Sequence, residues 1–495
     1  VKTIVVIAVF FVSIVTQNAR AEQSSHALSL NEAISIAAEK NLDVRAEFYN
    51  PAQFEADVNR NRAIYDPLFS AQTAYADNAA AQSLNGEAVS NSQSFMINSS
   101  ISQLVWSGGT AALNFNNSYN SNNSSTLFQH YWQTGLGLSF NQPLLKNRGR
   151  EVTEANIRIS QLSKYASMER LRTKLLTTVA QVRNEYFKLY SLREQLTSKN
   201  VSLELARTIL KETKARVAAG VLPAMEILNA EFGVVTREKD LIDAEKAVSD
   251  QQDVLRLLLQ LDPKVDVTIK DVPSRERLDF DQDVAIKRAF SRPELMEQRR
   301  NLELTELQTR VFNNKLKPDL SLNASVNLTA VDRGYSRDLE KIGTLDTPGW
   351  SIGLFFSYPL GNRAAENDYR KSRLKVEQSN LQINSLEQTI ANDVRSALRG
   401  ISAGYKQIDV ADRGVLFAEE RLRAFIRKNE VGLATTKDVF DVENDRSVAK
   451  YNQISALVSY NNAITTLWQT TGELLDRQGI RLDENEVNRL YKAMQ

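Results

Sequence analysis

From Leu171 to Leu189 apolar residues recur every three or four positions (Leu171, Leu175, Val179, Val182, Tyr186, Leu189), the period of a helix that buries one face. The surrounding stretch, Val152 to Val217, contains no Gly or Pro and is rich in Leu, Ala, Glu, Lys, Arg and Gln, the residues that cost least in a helix. It predicts one helix of roughly 65 residues, on the order of 100 Å at ~1.5 Å per residue. A second is predicted from Ala364 to Glu430, with Gly400, Gly404 and Gly414 inside it. Each long helix meets a Gly-bearing break, Ala219-Gly220-Val221-Leu222-Pro223 or Val431-Gly432-Leu433-Ala434-Thr435, and a further helix then runs to near Leu261 or Leu475. Two helical hairpins result. Two other helical stretches, Leu28 to Ile64 and Phe280 to Leu316, would together match one long helix in length. The linker from Asp262 to Pro273 contains Pro263 and cannot be helical throughout.

Elsewhere the period is two. After Pro67, the residues Phe69, Ala71, Thr73 and Tyr75 alternate with Ser70, Gln72 and Ala74, as in a strand with one apolar face. The pattern returns in Phe95, Ile97, Ile101, Val105; in Leu113, Phe115, Tyr119; in Trp132, Leu136, Leu138, Phe140; in Leu320, Leu322, Ala324, Val326, Leu328; and in Trp350, Ile352, Leu354, Phe356, Tyr358. Opposite positions are polar, for example Asn114, Asn116 and Ser118, or Ser321, Asn323, Ser325 and Asn327. Six such strands suit a soluble β-sandwich or a membrane barrel with a polar lumen. Aromatics near strand ends (Trp106, Tyr131) favour the barrel, as do connections of two lengths. The long ones are Asp77 to Ser94, Asn120 to His130 and Val331 to Pro348; the short one is Ser107-Gly108-Gly109. Because a barrel needs about eight strands to fill its own interior, several copies must contribute.

The chain repeats itself. Ala37 to Val44 matches Arg288 to Leu295 at an offset of 251, which also carries Pro67 onto Pro318. Gly220, Glu226, Ile227 and Glu231 match Gly432, Asp438, Val439 and Glu443 at an offset of 212. Pro67 to Gly220 spans 153 residues and Pro318 to Gly432 spans 114, so the first copy holds 39 more. Pro143 aligns with Pro359, placing 35 of them among the strands.

Composition removes other classes. With no Cys and only His26 and His130, thiolate sites and His-dependent chemistry have little to work with, and no cofactor is expected. Sixty-one basic against sixty acidic side chains give a net charge of +1 and no case for nucleic acid. After the leading apolar run no segment is long and apolar enough for a membrane helix, so only a barrel would span a bilayer. That run, with Lys2 before it and Ala19-Arg20-Ala21 after it, reads as a signal peptide over residues 1–21.

Leu30 to Ile34 (Leu-Asn-Glu-Ala-Ile), the breaks at Gly220 and Gly432, Ala230-Glu231, and Leu467-Trp468-Gln469-Thr470-Thr471-Gly472 together resemble the TolC-like outer-membrane efflux factors, over nearly all of the chain after residue 21. The resemblance implies a mainly α protein with transmembrane β and internal duplication. It further implies a homotrimer whose outer-membrane β-barrel continues into an α-helical barrel in the periplasm. Its implied role is a passive channel of a tripartite efflux or type I secretion system, not an enzyme, contacting outer-membrane lipid, a periplasmic membrane-fusion adaptor and an inner-membrane pump of RND, ABC or MFS type. The expected segments are 22–66 and 263–317 for the shorter periplasmic helices, 67–143 and 318–360 for four and two barrel strands, 144–262 and 361–475 for the hairpins, and 476–495 for a periplasmic tail.

Carried over by position, Gly220, Val221, Gly432 and Leu433 are adaptor-docking tips, and Glu226, Asp438 and Asp441 form an acidic gate at the periplasmic entrance. Better-known members lock the second tip with a tyrosine and an arginine; here those positions hold Asn429 and Ala434, leaving Lys437, Lys428 and Arg427 as alternative partners for Glu226 or Asp438. Four strands per copy would make a barrel of twelve. Six would make eighteen, unless the extra hairpin near Phe95 to Tyr119 packs outside. A periplasmic scaffold or adaptor is the competing reading, and an envelope hydrolase a third.

Overall fold

The computed structural model describes residues 25–80, 90–122, 129–344, 347–482, 489 and 492. The predicted signal peptide lies outside the described residues, as does most of the predicted tail at 476–495. In chain order the elements are β1 (Ser25–Leu28), α1 (Leu30–Lys40), α2 (Leu42–Arg62), β2 (Leu68–Ala80), β3 (Ser90–Leu104), β4 (Thr110–Asn122), β5 (His130–Pro143), α3 (Arg150–Thr153), α4 (Ala155–Ala218), α5 (Met225–Leu259) and β6 (Asp266–Ile269). There follow α6 (Gln282–Ala289), α7 (Pro293–Lys315), β7 (Asp319–Asp332), α8 (Tyr335–Gly343), β8 (Pro348–Ser357), α9 (Arg363–Glu430), α10 (Thr436–Thr471) and α11 (Leu474–Arg477). None of the described helices is long and apolar enough to cross a membrane. The described residues fall into two units: a sheet unit within 45–174, 283–394 and 481–495, and a tip unit within 1–44, 175–282 and 395–480.

In the sheet unit the six alternating runs form one antiparallel sheet in the order β2-β3-β4-β5-β7-β8. Its register aligns the predicted faces across every strand. Phe69, Ile101, Leu113, Leu138, Val326 and Trp350 stand side by side in one row. Ser102, Ala112, Ser139, Ser325 and Ser351 form a row on the other face. The pairing outruns the apolar pattern: β2 continues to Ala80 and β3 starts at Ser90, so the predicted connection from Asp77 to Ser94 shortens. Backbone hydrogen bonds hold Asp77 and Asn78 in the ladder although neither face is apolar there.

The predicted polar connection from Val331 to Pro348 contains a helix, α8, packed on the apolar face at the ends of β5 and β7. Asp338 and Ile342 are buried, and Thr134 Oγ1 lies 2.5 Å from Asp338 Oδ2 and 3.0 Å from Asn117 Oδ1. The predicted helix from Phe280 to Leu316 is interrupted at 290–292, where Pro293 opens α7 at its first turn, the position a helix tolerates proline best.

The matching interruption in the tip unit is Asn41, which the repeat aligns with Arg292. Its side-chain oxygen accepts from the Asp43 and Val44 N–H groups at 3.1 and 3.2 Å, starting α2 afresh, and its amide donates to the Leu258 carbonyl at 3.0 Å. The segment before it, predicted helical from Leu28, begins instead with β1, which pairs in parallel with β6 from the linker. Buried Tyr186 ties this pair down: its hydroxyl donates to the Leu28 carbonyl at 2.9 Å and accepts from Lys270 and Asp271 N–H at 3.1 and 3.0 Å. Leu28, Ile34, Val179, Leu189, Leu255 and Val267 form the core around it. The family-like motifs have local tasks here. Ser29 and Glu32 close a capping box that starts α1. The Trp468 ring lies 4.8 Å from the guanidinium carbon of Arg183, whose Nε donates to Thr465 Oγ1 at 3.0 Å. Burial holds Arg183 down to about 10. Gly404 lets α9 approach α10, since a Cβ there would sit 3.3 Å from the Tyr460 backbone.

Candidate gate at the helical tips

Both long helices end in the same way. Gly220 N–H donates to the Val217 carbonyl and Val221 N–H to that of Arg216, both at 2.9 Å; Gly432 and Leu433 repeat this to Asn429 and Lys428 at 3.1 and 2.8 Å. This paired closure requires a left-handed residue, and Gly220 and Gly432 have φ of +74° and +76°. Val221 and Leu433, the next residues, are 70% and 78% exposed.

The helices that return from the turns start differently. Thr435 caps α10, accepting from Asp438 N–H at 3.1 Å, while its own N–H and hydroxyl donate to Asp438 Oδ2 at 2.8 and 2.7 Å. The Thr435 donors hold the Asp438 carboxyl below the usual carboxylate range. α5 follows Pro223 and Ala224 and has no side-chain cap.

Two residue pairs, Arg216 with Asn429 and Glu226 with Thr436, join the hairpins at this level. Arg216 donates to the Asn429 carbonyl at 2.8 Å, and Thr436 N–H donates to Glu226 Oε2 at 3.3 Å. The Asn429 amide donates to the Ala434 carbonyl at 2.9 Å, closing the second turn on itself. The cation that bridges the hairpins is Arg216; Lys437 acts on Asp438 through its charge, which helps hold that carboxyl low, and Lys428 stands 5.1 Å over the Phe425 ring. Glu226 and Asp438 both serve the start of α10; neither meets the other. Asp441 is exposed and lines a groove of about 410 Å³ with Lys199, Asn229, Phe232, Lys437 and Asn444.

One turn further in stands an anchor that no apolar pattern in the sequence marks. Glu443 is 2% exposed; its Oε2 accepts from Arg237 Nε and Nη2 at 3.0 and 2.6 Å, and its Oε1 accepts from Ser202. The Arg237 guanidinium also lies 4.4 Å from the Phe440 ring, which fills the space a side chain on Gly233 would need. Two features of the sequence bear on it: the repeat matches Glu443 with Glu231, and Gly233 sits inside an otherwise strong helix four residues before Arg237.

His26 lies in β1 opposite Val267, and His130 Nδ1 is 2.9 Å from Ser121 Oγ across two exposed strand ends. Among the described residues no cluster of His, Asp or Glu is placed to hold a metal ion.

The family model described as outer membrane efflux protein matches residues 108–259 and 289–473, one segment in each copy of the repeat. The outer membrane efflux protein BepC of Brucella suis biovar 1 (strain 1330) is 20% identical over 380 residues, 76% of this chain and 81% of its own. Among solved structures, the Campylobacter jejuni CmeC outer membrane channel superposes with a TM-score of 0.68 at 15% identity, over 93% of this chain and 89% of that one. The open-state MtrE outer membrane channel of Neisseria gonorrhoeae gives 0.62 at 18% identity, over 90% and 89%. At these identities the two structures speak for the fold.

Proposed function

The chain belongs to the outer membrane efflux protein family, and from that membership we propose how it works: three copies close their strands into one outer-membrane barrel, and the hairpins reach into the periplasm, where their tips form the entrance. Efflux through the outer membrane is the family's activity, and its members are channels that conduct substrates. The observation that carries the reading is the row from Phe69 to Trp350. Its six members are 46–77% exposed on one face of a sheet whose other face carries Ser and Asn. An apolar band of that extent marks a surface that meets lipid or protein.

The exposed Val221 and Leu433 beside rigid glycine turns suit docking of a periplasmic membrane-fusion adaptor, which couples the duct to an inner-membrane pump of the RND, ABC or MFS type. Asp438 and Asp441 supply the negative field at the entrance. A carboxyl held below its usual range stays charged at neutral pH, so Asp438 contributes even while it caps α10. Glu226 acts as a strut to α10, fixing where those charges stand.

The test is fractionation followed by reconstitution. Heat-modifiable trimers in the outer-membrane fraction that form ion-conducting pores in planar bilayers are expected; a soluble periplasmic protein would contradict the reading. Within working pores, Asp438→Asn combined with Asp441→Asn removes charge while leaving an oxygen to cap α10. It should raise single-channel cation conductance or abolish block by divalent cations. No change in either would remove the acidic gate.

A further inference from the structure

The family-like repeat accounts for two strands per copy, yet the first copy has four. β2 corresponds to β7, and β5 to β8 through the alignment of Pro143 with Pro359, so β3 and β4 are the inserted pair. They occupy the middle of the sheet, not its edge. β3 is paired on one side to β2 along Leu68–Ala80 and on the other to β4, and β4 is paired in turn to β5. A hairpin packed outside a narrower wall would leave β2 bonded directly to β5, and that pairing does not occur among the described strands.

The inserted strands also carry the same two faces in register. Ile101 and Leu113 fill the apolar row between Phe69 and Leu138, and Ser100 and Asn114 stand opposite, between Ser70 and Gly137. A strand outside the wall would have no reason to alternate in step with its neighbours. The free edges fit closure by further copies: β8 is exposed at all its residues and runs antiparallel to β2, so β8 of one copy meets β2 of the next in the same up-and-down sense.

Resting on the trimeric duct proposed above, we propose that the outer-membrane barrel has eighteen strands, six from each copy, with β8 of one copy hydrogen-bonded to β2 of the next. At a strand spacing of about 4.8 Å and a tilt of about 40°, twelve strands give a backbone radius of about 12 Å and eighteen give about 18 Å. Barrels of that strand number leave a water-filled passage. The outer mouth is then the wide end of the duct, lined by Ser and Asn hydroxyls and amides, and it admits solutes that a twelve-stranded mouth excludes.

Cryo-electron microscopy of the full chain in lipid nanodiscs reads the strand number directly. A threefold wall of eighteen continuous strands is expected; twelve strands with β3 and β4 outside the wall, or closure by two copies, overturns the proposal. The second measurement uses the variant lacking residues 81–122, in which β2 passes through 123–129 directly to β5. With polyethylene glycols of graded size added to the outer chamber, the largest polymer that lowers single-channel current should be smaller for the variant by about 6 Å in radius. An unchanged cut-off counts against the wider mouth. Eighteen strands in a trimer that conducts nothing would leave the strand count standing and defeat the duct reading instead.

Discussion

The two hairpin tips share a turn and differ in what holds them. Gly220 and Gly432 take the same left-handed backbone and make the same pair of closing hydrogen bonds. Beyond that turn the copies diverge in what their matched residues do. Pro223 stands where Thr435 caps its helix, and Glu231 stands where Glu443 is buried. Glu231 pairs with Lys214 at 2.8 Å on a surface where both side chains are about half exposed; Glu443 is enclosed by Arg237 from the other hairpin and Ser202. The backbone turn is therefore what duplication retained, and glycine takes its left-handed conformation at the least cost. The second tip became the anchored one, and the first holds to it through Arg216, Glu226 and Arg237.

The contrast can be broken at its strongest point. Glu443→Ala strands Arg237 without its carboxylate in a buried site and should cost about 3–5 kcal/mol. Glu231→Ala, at the equivalent exposed pair, should stay within about 1 kcal/mol. Amide hydrogen exchange along α5 and α10 measures both; equal losses would mean the two tips are held alike. Next in size is Gly233→Ala. The new Cβ would meet the Phe440 ring at 2.2 Å and should cost about 1–3 kcal/mol by overpacking. The matching position in the other copy, Asp445, lies in an exposed pair with Arg421, and its change to Ala should be nearly silent by the same measurement.

The caps give a smaller effect. Thr435→Ala should cost about 1 kcal/mol and speed exchange in the first turn of α10. Pro223→Ala removes no cap and should leave α5 within about 0.5 kcal/mol. The smallest difference is in pH. The folded Asp438 carboxyl lies below its unfolded value, near 3.9, so the capping contribution is fully present above that value and fades as pH falls through the lower, folded one. Acidification should loosen the start of α10 before that of α5, whose first-turn carboxylate, Glu226, accepts from Thr436 and Asn229 and not from its own cap. Simultaneous loosening would contradict the assignment.

What the sequence disclosed and what it withheld divide by range. Periods of 3.6 and 2 recur within a dozen residues, so the long helices and six strands can be read directly, and the offset of 212 locates both glycine turns. β1 and β6 were hidden because four residues are too few for a period and their pairing joins positions 241 apart. The break at Asn41 depends on a side chain bonding the N–H groups of Asp43 and Val44, which no apolar pattern records. The acids show the same limit. Glu231 and Glu443 are one residue type at matched positions, and only the packing of Phe440 against Gly233 distinguishes a surface pair from a buried anchor.

We propose that the entrance of this duct is held shut by the bridges between its hairpin tips. The most direct test is single-channel recording of purified trimers carrying Arg216→Ala with Glu226→Gln beside the unaltered protein. Both changes lie outside the membrane strands and remove the two bridges between the hairpins at the entrance. Discrete pores in both, with larger unitary conductance in the variant, are the predicted result; intact trimers that never conduct, or identical conductance in the two proteins, would contradict it.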